Sequence, residues 1–65
     1  MGHFSKKLRH IRRSKDLTLM QLAEMTGICL SQLSNYERGI SNPNILYFEW
    51  LCKALDVSSK DLLGF

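Results

Sequence analysis

Residues 18–39, TLMQLAEMTGICLSQLSNYERG, carry helix start and stop signals so close together that the chain between them has room only for two short helices. Thr18 followed three residues later by Gln21 is a capping box. Leu22, Ala23 and Met25 then supply an apolar face, and Gly27 stops the helix. Only Gly27, Ile28 and Cys29 separate it from a second helical stretch, Leu30 to Arg38, which Gly39 closes. Two short helices meeting across such a joint have the spacing of a helix-turn-helix, over about residues 18–38. Tight turns also occur in arbitrary small bundles, so the turn alone does not decide the fold.

The flanks read as helix too. Phe4, Leu8 and Ile11 recur at i, i+4 and i+7, which predicts a helix from about Ser5, placed to cap it, to Lys15. The first three residues read as a fraying end or an appended remnant. Pro43 and Asn44 announce a fourth helix, Ile45 to Leu55, and Ser58 with Asp61 three later forms a second capping box for a short fifth helix ending near Leu63 and Gly64. No strand pattern, linker or internal repeat interrupts the series. At 65 residues the chain is expected to be a single domain, 1–65, in which nearly every apolar side chain serves one core. With 45% hydrophobic and 23% charged residues its composition is that of a globular protein, and no apolar run approaches the roughly 20 residues of a membrane span.

Chemistry-bearing clusters are missing. Cys29 and Cys52 belong to no Cys-x-x-Cys or Cys/His group, and His3 and His10, seven apart on a helix, stand about 10 Å from each other, so neither a metal site nor a disulfide framework is expected. Paired catalytic groups are equally lacking, and the expectation is no enzyme, no catalytic residue, no cofactor and no small-molecule ligand. A reducing, cytoplasmic compartment follows from the cysteine usage. Charge is uneven: residues 1–15 hold six cations and no acid, whereas residues 16–65 hold three cations and six acids. Such asymmetry points to a polyanion at one end of the fold, although a charge run by itself is equally well a solvated face.

The third helix is peculiar in its outer face. If Leu33, Tyr36 and the methylenes of Glu37 turn inward, then Ser31, Ser34, Asn35 and Arg38 fall at i, i+3, i+4 and i+7 on the other side. Short hydroxyls and a carboxamide let a backbone approach base edges closely, and Asn suits bidentate contact with adenine.

Taken together, Leu22-Ala23, Gly27, Leu33-Ser34, Glu37-Arg38-Gly39, Pro43 and Ala54-Leu55, with IRRSKD before and LCKALDVSSKDLL after, make the chain resemble the lambda-repressor-like Cro/Xre family over about residues 4–63. The resemblance implies an all-α, five-helix domain whose third helix enters the major groove of DNA. It implies base-facing roles for Leu30, Ser31, Ser34 and Asn35. Phosphate contacts are expected from Thr18 with the amides of the second helix, Arg38, Asn42, Asn44 and part of the helix-one cluster. Leu30 departs from the family, where a polar residue such as Gln is common, and can only touch a thymine methyl. Cys29 stands where Ser or Thr is usual, and Leu19 where Gln often helps hold phosphate.

In similar proteins an arginine and a glutamate at the positions of Arg12 and Glu37 form a partly buried ion pair joining helix one to helix three; the alternative is two unrelated surface charges. Leu46 and Trp50, at i and i+4 in the fourth helix, lie off the core spacing of Phe48, Leu51, Cys52 and Leu55. Either a modest rotation buries Trp50, or Leu46, Trp50, Leu63 and Phe65 form a homodimer contact, the C-terminal helix being a dimer contact in several relatives. A two-fold dimer would read a palindromic operator on double-stranded DNA. The favoured function is therefore a sequence-specific, repressor-type transcriptional regulator of prokaryotic or phage kind, with a protein-interaction or antitoxin-like module as the alternative.

Overall fold

The computed structural model describes residues 2–63, with side chains from residue 4, and among them are five helices and no strand: α1 (Gly2–Ser14), α2 (Leu19–Thr26), α3 (Leu30–Glu37), α4 (Ile45–Leu55) and α5 (Ser59–Leu63). Their ends follow the punctuation. Thr18 Oγ1 accepts from the Gln21 amide at 3.0 Å while Gln21 Oε1 accepts from the Thr18 amide at 2.8 Å, a complete capping box. Gly27, in the left-handed region at φ 80°, closes α2 with its amide on Ala23 O at 2.8 Å. Thr26 seals the same turn, donating to Leu22 O at 2.8 Å and accepting from the Ile28 amide at 3.2 Å. Asn44 Oδ1 caps α4 through the Tyr47 amide at 2.8 Å, and Ser58 caps the start of α5 through the Asp61 amide at 3.2 Å.

The first helix differs from the sequence expectation. It begins at Gly2, three residues before Ser5, so Ser5 is an interior residue and not a cap. Its side chain is buried, and a Cβ added at Gly39 would lie 3.7 Å from Ser5 Oγ. A small residue is needed there because α1 passes close to the turn that ends α3. One residue earlier, Phe4 makes ring contacts with Tyr36 at 6.3 Å and Phe48 at 6.0 Å, which hold the start of α1 in helical register.

Leu8, Leu22, Ile28, Leu33, Tyr36, Leu51, Leu55 and Leu62 form one core to which every helix contributes. Helix α1 packs on α3 and α5, α2 packs on α3 and α4, and α4 meets α5. Each fully buried leucine is worth about 1.5–3 kcal/mol of transfer free energy, so a domain this small depends on almost all of them.

Candidate nucleic-acid interface

Helix α3 turns its large side chains inward: Leu33, Tyr36 and Glu37 are buried. Burial in turn pushes the Tyr36 hydroxyl above the usual tyrosine pKa. What remains outside is Leu30, Ser31 and Gln32, exposed, with Ser34 and Asn35 half-buried and Arg38 exposed just past the helix end. Ser31, Ser34 and Asn35 thus share one outer face, with Leu30 at its leading edge. Gln32 was not singled out from sequence; it lies beside Ser31 and adds a carboxamide with two donors and an acceptor to the margin of the face.

The groups expected to meet phosphate lie at the starts of α2 and α4 and in the α3–α4 loop. Thr18 is exposed at the start of α2, where the amides of Leu19 and Met20 have no intrahelical acceptor. Asn44 is exposed at the start of α4; its Oδ1 is committed to the cap, and its side-chain amide hydrogens remain available. Asn42 is exposed in the α3–α4 loop. The loop returns to α3 through Asn35 O, which accepts from the Ile40 amide at 2.9 Å, so the backbone of Asn35 also anchors it.

Arg12 and Glu37 meet. Arg12 Nε donates to Glu37 Oε2 at 2.6 Å and an Nη to Oε1 at 3.0 Å, a two-pronged pairing with the side chains only 11% and 7% exposed. The other Nη donates to Leu17 O at 2.7 Å. One guanidinium therefore joins α1, the α1–α2 turn just before Thr18, and the last turn of α3. Hydrogen bonding to Glu37 raises the Arg12 pKa. With its folded value raised, the arginine's contribution is fully present below the ordinary arginine pKa and is lost only as pH climbs through the raised value.

Helix α3 starts less securely than α2. Its N-cap, Cys29, makes no side-chain cap hydrogen bond, and its Sγ lies 3.5 Å from Ser31 Oγ. That contact, with help from the Gln32 amide, draws the thiol below the usual cysteine range. Cys52, on α4, is shifted upward instead by burial.

Trp50 is 36% exposed and stacks on Tyr47, ring centroids 5.1 Å apart. With Met25, Thr26, Lys53 and Ala54 it lines a recess between α2 and α4. Leu63 lines a different and larger groove of about 630 Å3 with Phe4, Asn42, Pro43, Asn44, Ile45 and Phe48. Leu46 and Ile45 are both exposed, Ile45 at 79%. At about 100° per residue Leu46 and Trp50 share a flank of α4 from which Ile45 is turned away, so Trp50 and Leu63 do not meet in one concavity. Phe65 lies outside the described residues. Among the described residues no group of three or more His, Cys, Asp or Glu is placed to hold a metal, and no helix is long and apolar enough to cross a membrane.

The helix-turn-helix family HTH_3 matches residues 8–62, and the chain belongs to that family. It is 38% identical over 58 residues to the HTH-type transcriptional regulator SinR of Bacillus subtilis, covering 88% of this chain and 52% of SinR. It is 32% identical over 59 residues to the antitoxin PezA of Streptococcus pneumoniae, covering 91% of this chain and 37% of PezA. The chain thus spans about half or less of these two relatives. The crystal structure of the restriction-modification controller protein C.AhdI from Aeromonas hydrophila superimposes with a TM-score of 0.89 at 31% identity, covering 94% of this chain and 92% of that one.

Proposed function

We propose that the domain is a sequence-specific, DNA-binding transcriptional regulator of the repressor type, which lays α3 in the major groove and occludes or recruits transcription machinery at its operator. The observation that carries this reading is the division of α3: Leu33, Tyr36 and Glu37 face the core, and the outer face offers the short polar groups of Ser31, Ser34 and Asn35, with Leu30 exposed at its edge. Leu30, Ser31, Ser34 and Asn35 read base edges. Thr18, Arg38, Asn42 and Asn44 grip phosphates on either side. Similarity to SinR and C.AhdI supports the reading. Selection of bound sequences from a random duplex pool tests it: an enriched motif is expected, and a pool that stays random rejects it.

The working unit is a homodimer on a palindromic operator, because one short helix covers only a few base pairs and a two-fold pair about 34 Å apart reads two half-sites. Its contact draws on exposed apolar groups of α4 and α5, Leu46, Trp50 and Leu63, together with Phe65. Sedimentation of Trp50→Glu tests it: a folded monomer is expected, and a variant that stays dimeric, or a parent that is monomeric at high micromolar concentration, rejects this contact. The second reading, a protein-interaction module resembling an antitoxin, is favoured by the 630 Å3 apolar groove and by the similarity to PezA. Salt separates the two, since DNA affinity falls steeply with ionic strength and an apolar protein contact does not.

A further inference from the structure

The cations of α1 are not where α3 reads. Arg12 is consumed by Glu37 and Leu17, whereas Lys6, Arg9, His10 and Arg13 are exposed and lie at i, i+3, i+4 and i+7, turned away from buried Leu8. The four line a common shallow recess of about 240 Å3. Among the described residues none of them forms an ion pair. This grouping is unfavourable for the helix itself. Like charges three and four apart repel, and although Arg13 in the last turn suits the helix dipole, Lys6 sits in the N-terminal half with no acid in the first turn. The outer face of α3, by contrast, has Arg38 as its sole cation, at the helix end.

We propose that the outer face of α1, through Lys6, Arg9, His10 and Arg13, is a second binding face for the phosphodiester backbone of duplex DNA, engaging phosphates outside the segment that α3 reads. The four donors spread over about 10 Å of helix at ~1.5 Å per residue. A duplex presents one negative charge per ~1.7 Å of axis, about six over that length, and it meets such a row more densely than an extended acidic polypeptide, at one charge per ~3.3 Å, can. The proposal rests on the reading that the domain binds DNA, and assigns that binding a component independent of α3. The phosphates come either from the flank of the same duplex or from a second duplex.

The test is fluorescence anisotropy across a potassium chloride series with 12-bp and 40-bp random-sequence duplexes. It uses the parent, the variant Lys6→Gln/Arg9→Gln/Arg13→Gln, and the reading-face variant Ser31→Ala/Asn35→Ala. On the 40-bp duplex the α1 variant is expected to lose about 2.7 from the salt slope, at ~0.9 per phosphate; on the 12-bp duplex it follows the parent where the face engages flanking DNA and loses slope there too where it engages a second duplex. Energy transfer between two differently labelled 12-bp duplexes, lost in the α1 variant, assigns the face to a second duplex; its absence alongside the 40-bp slope loss assigns the face to flanking DNA. An unchanged slope on 40 bp overturns the proposal, as does an unchanged slope together with lost binding of labelled poly-glutamate, which would give the face to an acidic protein. Failure of the α3 reading shows separately, as Ser31→Ala/Asn35→Ala binding an enriched duplex like the parent. Should the triple variant fold poorly, Lys6→Ala/Arg13→Ala serves, with about 1.8 lost from the slope.

Discussion

Helices α2 and α3 each have eight residues and lie on either side of the same turn, yet they are held in opposite ways. Helix α2 is closed by its own sequence: a capping box at Thr18 and Gln21, a left-handed glycine at its end, and Thr26 stitching the turn. Helix α3 has no side-chain cap at Cys29, and its order comes from elsewhere, through Leu33 and Tyr36 in the core and the Arg12 fork on Glu37. An eight-residue helix is unstable in isolation, so one of these two supports is needed. Borrowing order from the scaffold leaves the outer residues of α3 free of any local stabilising duty, which suits a surface whose side chains are to be chosen for recognition.

That contrast breaks first at Arg12. Arg12→Ala or Glu37→Ala leaves the partner charge mostly buried and unpaired and is expected to cost about 3 kcal/mol in urea unfolding, with a matched apolar double substitution recovering part of it. A double-mutant cycle with no coupling would detach α3 from this anchor. Next come Ser31→Ala and Asn35→Ala, each expected to weaken binding to an enriched duplex by about 1–3 kcal/mol while leaving the urea midpoint where it was. Thr18→Ala removes the α2 cap and is expected to lower stability by about 1 kcal/mol. The smallest effect is a gain. Cys29→Ser supplies the cap α3 lacks, and a rise of about 0.5 kcal/mol in thermal or urea unfolding is expected; no gain would mean that the hydroxyl stays with Ser31.

Much of this was legible before any coordinates, for identifiable reasons. Helix ends are local chemistry, so Thr18, Gln21, Gly27, Gly39 and Asn44 announced them. The helical segments followed from their spacing together with the apolar periodicity, and the family fold from the resemblance carried by Leu22-Ala23, Leu33-Ser34, Glu37-Arg38-Gly39 and Pro43. Ser5 was misread because a capping residue and a small packing residue look alike in sequence, and its burial against Gly39 is a tertiary fact. The Arg12 bond to Leu17 O left no trace in the sequence, since every residue carries a carbonyl. Trp50 hung on the rotation of α4 by a fraction of a turn, which apolar spacing cannot fix. In the structure it stacks on Tyr47 and is 36% exposed, lining a recess other than the groove that Leu63 lines.

Recognition through α3 is tested most directly by amide chemical-shift mapping of the labelled domain as an enriched duplex is added. The expected result is the largest changes at Ser31, Ser34 and Asn35, smaller ones at Thr18, Arg38, Asn42 and Asn44, and a core that does not move. Largest changes along α4 and α5 with α3 silent would contradict it and move the DNA contact to another face.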